Sequence, residues 1–139
     1  MRSEIKPGAA LEELLEAARD AAKNSYSPYS RFCVGAALRL AGGQIVTGTN
    51  VENVSFGLTI CAERSALVKA VSDFGPRIRI EAVAVANLNQ AASPPCGACR
   101  QVLAEFIIPH APVVFPAAGG MRVMPFSALM PLAFEMKLK

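Results

Sequence analysis

Three cysteines and one glutamate in this 139-residue chain have the types and spacing of a zinc site. Glu63 follows Cys61 by two positions, and Cys96 and Cys99 form a Cys-x-x-Cys pair farther along the chain. Three thiolates around a tetrahedral ion leave one coordination position for water, which distinguishes catalytic zinc from structural zinc. A carboxylate beside that water can act as a general acid and base. These four residues therefore predict a zinc-dependent hydrolytic enzyme.

The predicted helices explain why thiolates are favoured at these positions. Cys61 and Cys96 each stand where a loop gives way to a helix, and the free N–H groups at a helix N-terminus stabilise negative charge. This setting lowers the pKa of a thiol, as metal ligation requires. Cys99 is one turn after Cys96 on the same helix face. If the two helices lie side by side with their N-termini together, the three sulfurs converge.

Zinc bound to three thiolates carries a net negative charge, which a nearby cation should offset. Arg64 follows Glu63 directly, and we expect its guanidinium to hydrogen-bond the ligand sulfurs.

Two other interpretations of the cysteines remain open, namely a structural zinc site with a fourth ligand elsewhere and a thioredoxin-type redox pair. His110, the only histidine, lies beyond the end of the third helix, and a redox pair leaves Cys61 and Glu63 unexplained. Cys33 falls in an apolar strand and is expected to be a core thiol.

Composition limits the other functions that are open to the chain. Apolar residues make up 53% and charged residues 18%, and we expect the apolar excess to be buried at a subunit interface. No apolar run is long enough for a membrane span, and the N-terminal residues lack the core of a signal peptide, so we expect a cytoplasmic protein. The 14 Lys and Arg are scattered singly, which does not favour a nucleic-acid partner.

The order of predicted elements indicates one α/β domain spanning residues 1–139. The second helix is apolar on most faces and is expected to be buried on several sides. The pattern predicts a three-layer α/β/α sandwich with a mixed five-stranded sheet. Its predicted elements are a helix at 9–24, strands at 32–40 and 44–50, a helix at 61–74, a strand at 80–86, a helix at 96–108, strands at 111–115 and 121–125, and a helical turn at 127–132.

The strings Cys61-Ala-Glu-Arg and Pro95-Cys-Gly-Ala-Cys-Arg-Gln resemble the cytidine deaminase family, in the small three-cysteine form that assembles as homotetramers. The resemblance runs from Tyr26-Ser-Pro-Tyr-Ser through Thr49-Asn-Val-Glu-Asn to Leu129-Met-Pro-Leu-Ala-Phe. It implies one Zn²⁺ per subunit and hydrolytic deamination of cytidine and 2′-deoxycytidine to the uridine nucleosides and ammonia, as in pyrimidine salvage. It also implies a nucleoside substrate and sites near subunit interfaces, with no nucleic-acid or membrane partner.

The resemblance also assigns roles to individual residues. Zinc ligation falls to the three cysteines, proton transfer to a carboxylate, and substrate binding to residues around the base and the ribose. These assignments are Cys61, Cys96 and Cys99 for zinc, Glu63 for catalysis, Asn50 and Glu52 for the ribose, Phe32, the Ala62 N–H and the Pro94 carbonyl for the base, and Phe134 for the site of a neighbouring subunit.

Two rival functions remain compatible with the sequence. One is deamination of another substrate, such as guanine, deoxycytidylate or a blasticidin-like antibiotic nucleoside. A nucleotide substrate would call for a basic cluster at the phosphate, and none is evident. The other is a non-catalytic zinc-binding module.

Overall fold

Five strands form one mixed sheet in this computed structural model, which describes residues 8–136. Residues 1–7, where the sequence lacks a signal-peptide core, lie outside that range, as do residues 137–139. The strand order is β2-β1-β3-β4-β5, and only the β3–β4 pair is parallel. The strands are β1 Val34–Leu40, β2 Ile45–Thr49, β3 Ile80–Asn87, β4 Pro112–Ala117 and β5 Gly120–Pro125.

Helices cover both faces of this sheet, which confirms the predicted three-layer α/β/α fold. α1 packs on one face and α2 and α3 pack on the other. Among residues 8–136, no helix has both the length and the apolar character needed to cross a membrane. The helices are α1 Ala9–Ala22, α2 Ala62–Phe74, α3 Gly97–Ala104 and the single turn α4 Phe126–Leu129, with a 3-10 turn at Phe56–Leu58.

Alternation along the central strand β3 builds two different cores. Val83 and Val85 point into the larger cluster under α2 and α3, whereas Ala82, Ala84 and Ala86 face α1. Successive strand residues point to opposite faces, so this valine–alanine alternation places the larger side chains on one face of the sheet. The small side chains on the other side let α1 lie close to the sheet.

Strand direction brings the N-termini of α2 and α3 to the same edge of the sheet. β2 and β3 are both antiparallel to β1, so they run parallel to each other. α2 follows β2 and α3 follows β3, and both helices lie on the same face. Each helix therefore begins near the carboxyl end of the strand before it, where open α/β sheets usually form their sites.

Two predictions about the helices are wrong in detail. α3 ends at Ala104 instead of continuing to residue 108, because the residues after it pair with the start of the central strand β3. The Ile80 N–H donates to the Phe106 carbonyl at 2.9 Å, and the Ile108 N–H donates to the Ile80 carbonyl at 3.1 Å. These bonds replace helical ones.

The second wrong prediction concerns α2, which is not buried on several sides within the single chain. Its buried face is narrow, and Val68 and Phe74 are 62% and 48% exposed. Some apolar side chains of α2 therefore point outward, and the fold of one chain does not bury them.

Two glycines allow the helices to approach the sheet closely. A Cβ on Gly48 of β2 would lie 2.3 Å from the Ala66 nitrogen and 2.8 Å from the Ala62 carbonyl of α2. A Cβ on Gly35 of β1 would lie 2.0 Å from the Ala18 carbonyl of α1. Backbone atoms cannot move aside as a flexible side chain can, so any larger residue at these positions must push the helix away.

We expect Gly48→Ala to lower the free energy of unfolding by about 1–3 kcal/mol, the usual cost of overpacking a tight contact. Urea denaturation followed by circular dichroism measures this change. Gly57→Ala is the matched control, because a Cβ there meets nothing within 4 Å. Equal stability of Gly48→Ala and Gly57→Ala would contradict the close approach of α2 to β2.

Candidate active site

Two of the cysteines cap the N-termini of neighbouring helices. Cys61 is the N-cap of α2 and Cys96 is the N-cap of α3, each with extended backbone angles. Cys99 lies in the first turns of α3 and is fully buried. The two helices are in contact. The helix starts therefore bring the three sulfurs together at an edge where unpaired N–H groups favour negative charge.

The geometry of the three sulfurs suits a zinc ion. All three lie within 4.8 Å of one another, and Cys61 Sγ is 3.8 Å from Cys96 Sγ. Zn–S bonds of about 2.3 Å in a tetrahedron separate two sulfurs by about 3.8 Å. Among residues 8–136, no further Cys, His, Asp or Glu joins the cluster, and His110 is exposed. The donor set thus fits zinc with one position left for a non-protein ligand.

The pKa values of the Cys61 and Cys99 thiols are shifted in opposite directions. A hydrogen bond from Cys99, with help from Arg64 and Cys96, lowers the pKa of Cys61 to about 5. The same hydrogen bond, together with burial, raises the pKa of Cys99 above its ordinary value. Cys61 therefore ionises before Cys99, and a proton on Cys99 would leave when a metal binds.

Arg64 supplies positive charge at the cluster, in the position that the sequence predicts. Its Nη2 donates to Cys61 Sγ and to the Thr59 carbonyl, both at 3.5 Å. Its Nε is buried and has no hydrogen-bond partner among residues 8–136. The guanidinium therefore lies against the thiolate and can partly offset the negative charge of a three-sulfur site.

Glu63 is a buried carboxyl group beside the sulfurs. It stands in the first turn of α2, two residues after Cys61, and is only 5% exposed. Burial is the main reason that its pKa is raised to about 7, and the Cys61 charge acts in the same direction. A carboxyl group with a pKa near neutrality can both take up and release a proton at physiological pH.

A cavity of about 210 Å³ opens at this cluster. It is smaller than the ~300–1,000 Å³ typical of sites for drug-sized ligands, so it suits a small ring. Its walls combine apolar and aromatic side chains with a few polar groups. The lining residues are Phe32, Val34, Asn50, Thr59, Cys61, Ala62, Glu63, Val85, Ser93, Pro94 and Cys96.

The predicted site residues divide into those in the cavity and those outside it. Asn50, Phe32, Ala62 and Pro94 line the cavity. So do Cys61, Cys96 and Glu63, whereas Cys99 lies behind the lining. Sequence reasoning did not single out Thr59, Ser93, Val34 or Val85, which also line it, because they carry no chemical pattern of their own. Only the packing of the strands and loops brings them there.

Glu52 does not line the cavity in the single chain. Its carboxylate accepts hydrogen bonds from the Tyr29 N–H at 3.0 Å, the Ser30 N–H at 3.2 Å and the Ser30 hydroxyl. The hydrogen bond from the Ser30 side chain is the main reason that the pKa of Glu52 is lowered. The carboxylate is thus ionised and held to the loop before β1.

Phe134 also lies away from the cysteine cluster. It is 74% exposed and borders a separate depression of about 700 Å³ between the end of α3 and the C-terminal segment. That larger depression contains none of the cysteines. Within one chain, Phe134 therefore does not reach the cavity.

Cys33 is not the core thiol that the sequence predicts. It precedes β1 instead of lying in it, is only partly buried, and stands outside the three-sulfur cluster. Its Sγ lies 3.4 Å from the Ser27 hydroxyl. The strand itself begins one residue after Cys33, at Val34.

Two further residues, which the sequence analysis assigned no role, hold the walls of the cavity. Asn89 bonds the backbone on both sides of Phe32, accepting from the Cys33 N–H at 3.0 Å and donating to the Arg31 carbonyl at 2.9 Å. Arg100 donates to the Pro95 carbonyl at 2.8 Å and to the Leu129 carbonyl at 3.0 Å. These bonds fix the Phe32 wall and the loop that leads into α3.

Comparison with known proteins agrees with this geometry. Residues 9–115 match the family model described as the cytidine and deoxycytidylate deaminase zinc-binding region. A cytidine deaminase from Halalkalibacterium halodurans is 44% identical over 122 residues, which cover 87% of this chain and 91% of that protein. The crystal structure of cytidine deaminase from Mycobacterium tuberculosis superposes with a TM-score of 0.81 at 39% identity, covering 93% of this chain and 100% of that one. A blasticidin-S deaminase from Bacillus cereus is 27% identical over 128 residues, covering 88% of this chain and 90% of that protein.

We expect Cys99→Ala to lose zinc, because it removes a buried ligand from a set of three. Plasma mass spectrometry of the purified protein measures zinc per chain. The matched control is Cys33→Ala, which removes a cysteine outside the cluster and should retain as much zinc as the wild type. Equal zinc contents in the two variants would show that the metal is bound elsewhere.

Proposed function

The chain belongs to the family of zinc-binding cytidine and deoxycytidylate deaminases, and from this premise we propose that it hydrolyses cytidine and 2′-deoxycytidine to the corresponding uridine nucleosides and ammonia. We propose further that residues 1–139 act as one domain, in the cytoplasm, in the salvage of pyrimidine nucleosides.

One observation carries this proposal: a cavity large enough for a small ring joins the three-cysteine cluster to a buried carboxyl group. When bound, zinc supplies Lewis acidity to the hydrolysis. Glu63 is the only acidic side chain among the residues of the described chain that line the cavity. The two thiols that line the cavity, Cys61 and Cys96, belong to the zinc-binding cluster, so Glu63 takes the role of proton carrier.

Glu63 acts twice in the proposed reaction. As a carboxylate it accepts a proton from the attacking water, and as a carboxylic acid it delivers that proton to N3 of the pyrimidine while the water oxygen bonds to C4. It then carries the second proton of that oxygen to the amino group, so that the C4–N bond breaks, ammonia leaves and the C4 carbonyl forms. Its pKa of about 7 makes both forms accessible near neutral pH. Burial among apolar walls keeps the carboxyl away from bulk water, which would otherwise compete for the same proton.

The other cavity residues are proposed to bind and orient the nucleoside. Phe32 offers an apolar ring face to the base, and the Ala62 N–H and the Pro94 carbonyl offer a donor and an acceptor to its edge. Asn50 and Glu52 are proposed to hold the ribose hydroxyls. Glu52 already accepts three hydrogen bonds from the Tyr29–Ser30 loop, so it would bind the sugar through its remaining acceptor capacity.

Charge favours a nucleoside over a nucleotide as the substrate. None of the residues that line the cavity in the described chain is a lysine or arginine. A phosphate group would need such a partner or a cluster of N–H donors. Cytidine and deoxycytidine are neutral and need none.

We propose that four copies of the chain assemble, with each cavity near a subunit interface. The segment between β2 and α2 exposes large apolar side chains, among them Val54 at 77%, Phe56 at 69% and Leu58 at 65%. Thr59 and Cys61 of the cavity follow this segment directly. Apolar surface of this kind, next to the exposed Val68 of α2, suits a second copy of the same chain.

Assembly would also give Phe134 a role in substrate binding. Its ring is largely exposed within one chain and is outside the cavity. We propose that it reaches the cavity of a neighbouring subunit, where an aromatic ring could close the mouth over the base.

The proposed function is tested with Glu63→Gln. We expect this variant to keep its zinc and lose about 10²–10⁴-fold in kcat with cytidine, because the amide cannot carry the proton. The measurement is the ultraviolet change on deamination, combined with zinc analysis. The matched control is Glu81→Gln, an exposed carboxylate on β3 that should leave the rate unchanged.

The wild-type protein is compared on cytidine, deoxycytidine, cytidine monophosphate, guanine and blasticidin S in the same assay. Turnover of either cytosine nucleoside well above the other three supports the proposal. Turnover of blasticidin S alone would move the protein to the antibiotic-deaminase group. Full zinc occupancy without turnover of any substrate would leave a non-catalytic zinc module.

The assembly is tested with Leu58→Asp. A charge on the exposed apolar segment should divide the tetramer into smaller species, because a carboxylate cannot be buried at an apolar contact without a partner. Light scattering coupled to size exclusion measures the mass. Ala10→Asp is the control, since Ala10 is exposed on α1, which packs on the opposite face of the sheet from α2. A monomeric wild type, or an unchanged mass for Leu58→Asp, would contradict the proposed interface.

A further inference from the structure

The side-chain amide of Asn50 is held in a single orientation. Its Oδ1 accepts from the Val34 N–H at 3.0 Å, and its Nδ2 donates to the Phe32 carbonyl at 2.8 Å. A carboxamide carries two N–H donors, so one remains for a ligand in the cavity that Asn50 lines. Asn50 is itself 8% exposed. The direction of the remaining N–H therefore depends on how firmly the amide is fixed.

Ser25 contributes a third bond to this amide. Its hydroxyl is 2.5 Å from Asn50 Oδ1, and a carbonyl oxygen can only accept, so Ser25 must be the donor. Ser25 follows α1 and does not line the cavity. It thus acts on the cavity only through Asn50.

A second hydroxyl helps to hold Ser25 beside the amide. Ser25 Oγ lies 3.0 Å from Ser27 Oγ, which accepts from it. Ser27 is 8% exposed, and Cys33 Sγ is 3.4 Å from its hydroxyl. The Ser25 hydroxyl therefore lies between Asn50 Oδ1 and the buried Ser27, which restricts its position.

We propose that Ser25 is a positioning residue for substrate binding, which orients and polarises the Asn50 amide toward a sugar hydroxyl of the nucleoside. This inference rests on the proposed function. Withdrawal of electron density from Oδ1 makes the free N–H of the same amide a stronger donor. Ser25 therefore strengthens the contact with the sugar without touching the substrate.

The backbone next to Ser25 is held to the backbone at Asn50 and Glu52 independently of the Ser25 hydroxyl. The Tyr26 N–H donates to the Asn50 carbonyl at 3.1 Å, and the Glu52 N–H donates to the Tyr26 carbonyl at 2.8 Å. Loss of the hydroxyl alone should thus leave residues 25–27 bonded to residues 50–52. This makes Ser25→Ala a test of orientation and not of folding.

The experiment compares Ser25→Ala with the wild type on cytidine and on 2′,3′-dideoxycytidine. We expect the KM for cytidine to rise about 3- to 10-fold, the typical worth of one hydrogen bond, with kcat unchanged. The KM for dideoxycytidine should change less than about 2-fold, because that nucleoside lacks the hydroxyls that Asn50 would bind. Ser25→Thr restores the hydroxyl and should restore the KM for cytidine. Ser72→Ala, an exposed serine of α2, is the matched control.

The outcomes separate this inference from the proposed function. A wild-type protein that deaminates neither nucleoside would overturn the proposed function itself. An active wild type with an unchanged KM for Ser25→Ala, or with equal rises on both nucleosides, would overturn the role of Ser25. Should Ser25→Ala fail to fold, Ser27→Ala removes the buried hydroxyl that holds Ser25 in place, and it must show a smaller rise in KM confined to cytidine; an unchanged KM there would overturn the role of Ser25.

Discussion

The meeting of two helix N-termini at one edge of the sheet is the constraint on which the site depends. Because β2 and β3 both pair with β1 in the antiparallel sense, they point the same way, and the helices that follow them start side by side. Each start contributes a cysteine at its cap, and the free N–H groups of both helices favour thiolate there. A change in either strand direction would place Cys61 and Cys96 at opposite ends of the molecule.

Close packing gives this arrangement its precision. Gly48 lets the backbone of α2 lie against β2, and the alanines of β3 let α1 approach from the other face. Protein interiors transmit small displacements because they contain few voids. The distance between Cys61 and Cys96 is therefore set partly by residues that have no chemistry of their own.

Electrostatics at the site balances several negative groups in a small volume. Burial, and to a smaller extent the Cys61 charge, raises the pKa of Glu63 to about 7, so both protonation states of this carboxyl are accessible near neutral pH. Arg64 and the helix N-termini offset the sulfur charge from the other side. A metal ion bound at the cluster would displace the proton of Cys99 and would add positive charge among the three sulfurs.

The sequence alone determined the elements, the α/β/α fold and the groups that can do the chemistry. Periodicity and glycine-rich turns encode helices and strands locally, and the spacing of Cys61, Glu63, Cys96 and Cys99 encodes a donor set. The errors were at places where local pattern competes with long-range contacts. α3 ends early because residues 106–108 bond Ile80, and Cys33 leaves the core because β1 begins after it.

Tertiary structure alone decided which other groups meet the donor set. Asn50 and Glu52 look equivalent in sequence, yet only Asn50 lines the cavity, because the Tyr29–Ser30 loop holds the Glu52 carboxylate. Ser25 and Asn89 reach their partners across 25 and 56 residues of chain, to Asn50 and Cys33. Such contacts depend on how the strands and loops pack in three dimensions, and no local pattern of residues records them.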